Sequence, residues 1–266
     1  MTPGQSAAYP RPTASSWRAR AVAYEPATYG DRIAEIYDQR VAAAVGATTD
    51  AAVAFLAELA GPGRALELGI GTGRIALPLA ASGVAVHGID ASEAMVARLR
   101  AKPGGEAIPV TIGDFAAVPV GGRFRLIYVV FNTFFGLLSQ DEQVRCFAAV
   151  AHHLEPDGLF VIEAFVPDPT LFDRGQRLAA TLIGVDHVEL DATRHDTASQ
   201  RVTTQHIMIG REGIRLFPVQ LRYAWPSELD LMARLAGMRL RERYGGWQRE
   251  PFGSTSAGHV SIYVPA

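Results

Sequence analysis

Ala65-Leu66-Glu67-Leu68-Gly69-Ile70-Gly71-Thr72-Gly73-Arg74 leads from a short apolar strand, through three glycines spaced two apart, into a helical pattern. Glycine lets backbone turn this tightly and come close to a ligand with no Cβ in the way. The spacing predicts a nucleotide-type cradle between a strand and a helix. A tight turn without a ligand is the plainer alternative.

Outward from this stretch, short apolar strands alternate with amphipathic helices. Strands are expected at 64–68, 84–89, 110–112, 124–131 and 159–165, and helices at 74–81, 92–101 and 141–153. Upstream, Ile33, Ile36, Tyr37 and Val41 have helical spacing over 31–45. Asp50 is placed to cap a second helix carrying Val53, Phe55, Leu56 and Leu59, which Gly61-Pro62-Gly63 stops. Such alternation predicts an α/β fold, a Rossmann-like parallel sheet with helices on both faces.

After Pro167 the pattern changes. The segments 179–190, 200–210 and 214–225 are long and β-rich, as in a three-stranded antiparallel meander, and 226–236 returns to a helix with Ser227 as its cap. Strands at 239–244 and 259–264 then close the sheet as a C-terminal antiparallel pair. The expected organisation is a leader at 1–20, an α/β core at 21–165, an antiparallel β insert at 166–225, and a helix with strands at 226–266 completing the core. The insert leaves from the carboxyl end of a parallel strand, the edge where open α/β sheets bind ligands, so it is expected to roof a substrate site.

Composition narrows the function. The 266 residues carry 25 Lys and Arg against 27 Asp and Glu, a net charge of −2, which argues against electrostatic binding to nucleic acid or a membrane surface. With 48% apolar and 20% charged residues, the chain is globular in composition. Its one cysteine, Cys146, leaves no internal disulfide and no cysteine-based metal cluster, as suits a cytoplasmic protein. Neither a signal-peptide core nor an 18-residue apolar run is found.

Other strand ends carry chemistry as well. Asp90-Ala91-Ser92 follows the second strand, and a carboxylate there can accept both hydroxyls of a ribose or simply cap the next helix. Met95 is one helical turn further on. Gly113-Asp114-Phe115 ends the third strand and Phe131-Asn132-Thr133-Phe134-Phe135-Gly136 the fourth. The fifth is entered through His153-Leu154-Glu155-Pro156-Asp157-Gly158 and runs to Glu163. Dinucleotide dehydrogenases usually show Gly-x-Gly-x-x-Gly, whereas this chain has Glu-x-Gly-x-Gly-x-Gly.

In these motifs and their order the chain resembles the class I S-adenosylmethionine (SAM)-dependent methyltransferases, and within them actinobacterial small-molecule enzymes such as amino-sugar N-methyltransferases. The resemblance covers roughly 24–165 by motif and the C-terminal strands by topology. It implies SAM as cofactor, S-adenosylhomocysteine as product and a small-molecule acceptor methylated at oxygen or nitrogen, in secondary metabolism. Glu67, Gly69, Ile70, Gly71 and Gly73 would form the turn under the methionine and ribose, with Asp90 and Ala91 at the ribose and Met95 against the adenine or in the core. Gly113, Asp114 and Phe115 would meet the adenine amine, and Phe131 and Asn132 would surround the methyl group. Tyr29 and Tyr37 would offer hydroxyls to the cofactor's carboxylate, with Arg32 or Arg74 as ionic alternatives; the plainer reading of both tyrosines is core packing. No nucleic-acid methyltransferase signature, Asn-Pro-Pro-Tyr or Pro-Cys, is present.

An amine or hydroxyl acceptor must lose a proton, and histidine is the usual base at neutral pH. His153 matches a histidine position of the amino-sugar subgroup and is the expected base, with a stabilising role at the helix C-terminus as the alternative. Glu163 is expected to hold the acceptor's amine or hydroxyl. His187, His195 and His206 fall in the insert with no metal-ligand spacing, so no metal is expected. Trp247, Phe252 and His259 are placed to close the far side of the pocket. A homodimer through strands such as 200–210 is left open. The competing functions are a non-methylating reaction on the same fold and a nicotinamide oxidoreductase.

Overall fold

The computed structural model describes residues 23–266, with the side chains of 41–47 outside the description. The leader expected over 1–20, and the apolar contact expected of Val41, lie outside the described residues. Five parallel strands, β1 (Arg64–Leu68), β2 (Ala85–Asp90), β3 (Val110–Ile112), β4 (Phe124–Val129) and β5 (Leu154–Phe165), form the core of a seven-stranded sheet. After an intervening second sheet, β10 (Met238–Tyr244) and β11 (Gly258–Pro265) pair antiparallel and complete the order β10-β11-β5-β4-β1-β2-β3. Sequence order reverses at β1, which opens a crevice at the carboxyl edge beside it.

The central strands are covered on both faces, which is why Leu126, Ile127, Tyr128 and Val129 form an unbroken buried run. On one face Leu66, Leu68 and Phe160 meet Phe147 and Val150 of α5 (Gln140–His153) and Leu229 and Met232 of α6 (Pro226–Leu235). On the other, Ala65, Leu126 and Val161 meet Phe55 and Leu56 of α2 (Tyr37–Ala60) and Leu79 of α3 (Ala76–Ala81). Each such large side chain contributes about 1.5–3 kcal/mol by leaving water. Ser92 Oγ accepts from Met95 N and starts α4 (Glu93–Arg100), while Ser139 and Glu142 form a reciprocal capping box on α5.

Three local expectations are corrected. A six-residue α1 (Thr28–Ile33) precedes a single helix α2 that runs through Asp50, so Asp50 caps nothing. Gly46 costs only about 1 kcal/mol in a helix, and the packing of Ala52, Phe55 and Leu56 keeps the helix continuous. α3 starts at Ala76, not at 74, because the turn extends past Gly73, whose φ is +80°.

The insert also has four strands where three were expected: β6 (Gln176–Ile183), β7 (Val188–Asp196), β8 (Arg201–Gly210) and β9 (Gly213–Arg222), in that order in a separate antiparallel sheet. The segment 179–190 is a hairpin, turned where Gly184 N donates to His187 O at 2.8 Å. Gly184 and Asp186 are the turn residues there, in a run whose apolar residues on either side read as one long strand. At one end of the sheet α1 packs on β9, Arg40 of α2 pairs with Glu189 at 3.1 Å and Arg215 with Glu35 at 2.9 Å. At the other end Arg222 exchanges hydrogen bonds with Gln143 of α5 and pairs with Glu228 of α6 at 2.7 Å. No helix among the described residues is long and apolar enough to cross a membrane.

Candidate active site

The glycine turn is built by hydrogen bonds to the end of β2. Gly69 N and Ile70 N both donate to Ile89 O, at 2.8 and 2.9 Å, and Gly71 N donates to Asp90 Oδ2 at 2.7 Å. Gly69 has φ +73°, and a Cβ there would lie 2.4 Å from Thr133 Cγ2. Gly71, at φ +54°, has only Met95 Cε within 4 Å of where its Cβ would stand, so its side of the turn is open. Gly88 on β2, which the motif did not include, is also required, because a Cβ would strike Ile70 Cδ1 at 2.3 Å.

Asp90 stands at the centre of this edge. Its Oδ1 accepts from Ser92 N at 2.8 Å, and the amides of Gly71 and Ala91 also face the carboxylate. Burial raises its pKa, and these amide bonds oppose the rise. The three amides leave the carboxylate with acceptor capacity on the open side of the turn. Ser92 Oγ donates to Asp31 of α1 at 2.6 Å, and Met95 is buried with Ile33, Ala34 and Phe217 beside the half-buried Tyr29 and Tyr37. Burial raises both tyrosine pKa values, so the hydroxyls remain protonated donors. At the end of β3, Gly113 N donates to Asp90 O, Asp114 Oδ1 accepts from Ala116 N at 2.9 Å, and Phe115 packs on the core.

Glu67 sits beneath the turn and is only 2% exposed. Its Oε2 accepts from Tyr128 Oη at 3.0 Å and the carboxylate also takes the Ala76 amide that opens α3; burial pushes its pKa up to about 8. A cluster the sequence did not reveal fixes α2 to the turn: Asp38 accepts from Thr72 Oγ1 at 2.6 Å and pairs with Lys102 at 2.7 Å, while Lys102 donates to Thr72 O.

Phe131 and Asn132 follow the end of β4 with φ of +56° and +63°. Such backbone costs about 1–3 kcal/mol per residue and persists only where neighbours hold it. Here Glu163 Oε2 accepts from Phe131 N at 2.8 Å, and Asn132 Oδ1 accepts from Phe165 N at 2.7 Å. The other Glu163 oxygen accepts from Trp247 Nε1 at 2.9 Å, so this carboxylate clamps the turn. Arg74 donates to Thr49 Oγ1 and lies over the Phe131 ring at 5.1 Å.

Beside the clamp is a cavity of about 330 Å³, bounded by Ala52, Arg74, Phe131, Asn132, Glu163 and Trp247 among others. His259 also borders it. Its Nδ1 lies 2.8 Å from Ser261 Oγ, and its Nε2 is buried without a partner among the described residues. Burial, aided by the Arg243 guanidinium, pushes its pKa down to about 4, so the ring is neutral.

His153 is not brought to this site. Its ring nitrogens face Ala149 O at 2.7 Å and Val120 O at 2.9 Å, and Leu154, the next residue, pairs with Phe124, the first residue of β4. It therefore stands at the amino edge of the sheet, opposite the glycine turn. The cause is topological: α5 runs antiparallel to the strands it joins, so its last residues arrive at the edge where β5 begins.

The carboxyl edge thus gathers Tyr29, Tyr37, the glycine turn, Asp90, Met95, Asp114, Phe131, Asn132 and Glu163. The family described as "Methyltransferase domain" matches residues 65–158. A curated relative, the cypemycin N-terminal methyltransferase of Streptomyces sp, is 29% identical over 194 residues, covering 72% of this chain and 78% of its own. The solved CcbJ methyltransferase from Streptomyces caelestis is 41% identical with a TM-score of 0.86, over 91% of this chain and 100% of its own. A SAM-bound amino pentose methyltransferase from Micromonospora echinaspora, involved in calicheamicin biosynthesis, shares the fold at 20% identity and a TM-score of 0.59, over 99% of this chain and 100% of its own.

Proposed function

Because the chain belongs to the SAM-dependent methyltransferases, we propose that it methylates an amine, or failing that a hydroxyl, of a small natural-product-like acceptor. The observation that carries this reading is the Asp90-pinned glycine turn, whose open side at Gly71 leaves room for a ligand and whose carboxylate retains lone pairs for a ribose. Nitrogen comes first because two of the relatives are named for an N-terminus and for an amino pentose. A dinucleotide would need the N-terminal amides of α3 for its pyrophosphate, and Glu67 already takes the one at Ala76. That weighs against the nicotinamide alternative.

SAM supplies a methyl group on a cationic sulfur: the acceptor's lone pair bonds to the methyl carbon, the electron pair of the broken C–S bond stays on sulfur, and the acceptor gives up one proton. In this reading Asp90 holds the ribose hydroxyls, and Asp114 accepts from the adenine amine beside Phe115 and Met95. The protonated hydroxyls of Tyr29 and Tyr37 donate to the methionyl carboxylate. The Phe131–Asn132 turn, clamped by Glu163, borders the acceptor, and the insert at 166–225 roofs it. Holding two partners in reacting geometry is worth up to about 7–11 kcal/mol, the largest contribution open to these residues.

The chain's near-neutral charge suits a small-molecule partner and not nucleic acid, and its single cysteine suits a cytoplasmic setting. β8 is paired on both sides, so strands such as 200–210 offer no edge to a second copy, and a homodimer would form instead through the outer face of the insert, where Leu178, Ile183, Ile214 and Leu216 are exposed. Methyl-labelled SAM incubated with a panel of amines and alcohols tests the function. Label in an amine product fits the proposal, label only in an alcohol shifts the acceptor class, and SAM binding without label in any product favours a non-methylating reaction.

A further inference from the structure

The inner face of the insert carries a histidine–carboxylate pair that the site described above does not use. Asp191, His206 and Phe217 are directly opposite one another across β7, β8 and β9, so their side chains share one face of the sheet. Phe217 is buried against Ile33, Ala34 and Met95, which identifies that face as the one turned toward the core. The same face is anchored two positions along β8 on one side and four positions along β8 and β9 on the other. Met208 packs beside Phe217, while Val202 and Leu221 pack against the cluster containing Phe134 and Phe135. β9 itself touches α1 and the short 3-10 turn Thr133–Gly136 that follows the Phe131–Asn132 bend. The roof therefore spans from α1 to the end of β4, and His206 stands on the span, between its two anchorages and above the carboxyl edge.

The hydrogen-bond geometry sets the state of the ring. His206 Nδ1 lies 2.5 Å from Asp191 Oδ1. A carboxylate only accepts, so Nδ1 carries the hydrogen, and in the neutral ring the lone pair is on Nε2. Nε2 has no hydrogen-bond partner among the described residues, and the side chain is 24% exposed. Neighbouring charges on the same face are already paired, Glu189 with Arg40 and Arg215 with Glu35. Asp191 is thus the charge committed to this histidine. The other insert histidines differ: His195 Nε2 is bonded to Tyr223 Oη at 2.9 Å, and His187 lies in the β6–β7 turn.

We propose that His206, oriented by Asp191, is the base that takes the acceptor's proton. The inference rests on the methyl-transfer reading above. The proton passes from the acceptor's nitrogen or oxygen to Nε2, the acceptor keeps the freed electron pair for bond formation, and Asp191 balances the imidazolium charge across the Nδ1–H bond. The pair selects acceptors that arrive carrying a proton, above all ammonium groups, since the anionic Asp191 lies behind the ring.

Ring-nitrogen NMR of histidine-labelled full-length protein tests the geometry without turnover. The expected result is hydrogen on Nδ1 of His206, and its loss from Nδ1 in Asp191→Asn; hydrogen on Nε2 in the parent protein overturns the proposal. With S-adenosylhomocysteine bound, titration with an alanine-initiated tetrapeptide and with a 3-amino sugar glycoside is expected to shift the His206 ring signals. Shifts confined to other residues overturn it.

For whichever of the two amines is methylated, His206→Ala is expected to lower kcat by about 10²–10⁴-fold with the SAM dissociation constant unchanged, and imidazole to restore part of the rate. A kcat within threefold of the parent overturns the proposal. Failure of the parent protein to bind SAM would instead remove the underlying methyl-transfer reading, so the two failures are told apart.

Discussion

Asp90 and Glu67 are two acidic residues beside the glycine turn, one at the end of β2 and one within β1, and the structure gives them opposite tasks. Asp90 lies at the rim with its oxygens on Gly71 and Ser92 amides. Asp90→Ala strands those donors and removes the proposed ribose contact, so SAM affinity is expected to fall by about tenfold or more, a loss of about 1.4 kcal/mol or greater measured by titration. Unchanged affinity would remove Asp90 from the cofactor site.

Glu67 is a stability group. Its pKa is raised from 4.5 to about 8, so the folded state holds its proton more tightly than the unfolded chain does. Its contribution is complete below pH 4.5 and is lost as pH rises through about 8. Glu67→Gln should flatten the decline between those limits and be the more stable form at pH 8, by on the order of a few kcal/mol in urea unfolding. His259 works in the opposite sense: with its pKa lowered from 6.5 to about 4, stability is present above 6.5 and lost as pH falls toward 4. Acid unfolding of His259→Gln should accordingly be less steep.

At the scale of elements, the roof depends on a few anchors. Phe217→Ala removes the ring that joins β9 to α1 and Met95, at a cost of about 3–5 kcal/mol for a fully packed phenylalanine. Hydrogen exchange should quicken in β8 and β9 while β1 and β4 stay protected, and uniform quickening would show that the roof and core unfold as one. Elements also divide what the sequence discloses from what it hides. The glycine turn, Asp90, Asp114 and Phe131 are each local to a strand end, so alternation and spacing place them at one edge. The clamps are not local: Glu163 reaches Phe131 32 positions away and Trp247 84 away, and Asp38 reaches Thr72 across 34. No periodicity reports such pairs. His153 was misplaced because motif position does not say which sheet edge a helix end reaches, although α5's place between two parallel strands does.

The whole molecule is two sheets with unlike surfaces. The sheet of seven strands is covered on both faces, whereas the outer face of the insert exposes Leu178, Ile183, Ile209, Ile214 and Leu216. Exposed apolar residues on one face underlie the proposed homodimer. Sedimentation should find a dimer or larger assembly that Ile214→Glu with Leu216→Glu reduces to monomers; a monomeric parent protein would leave this face unused. The alternation of strands and helices makes the α/β architecture legible, while the fourth insert strand is hidden behind the short turn at Gly184 and Asp186.

The account rests most heavily on SAM as the ligand of the glycine turn. Calorimetric titration of the full chain, shown free of co-purified ligand, with SAM, S-adenosylhomocysteine and NAD in parallel tests that directly. Micromolar binding of both sulfur compounds, weakened by Asp90→Ala and absent for NAD, is the predicted result. Binding of NAD alone, or of none of the three, would contradict it.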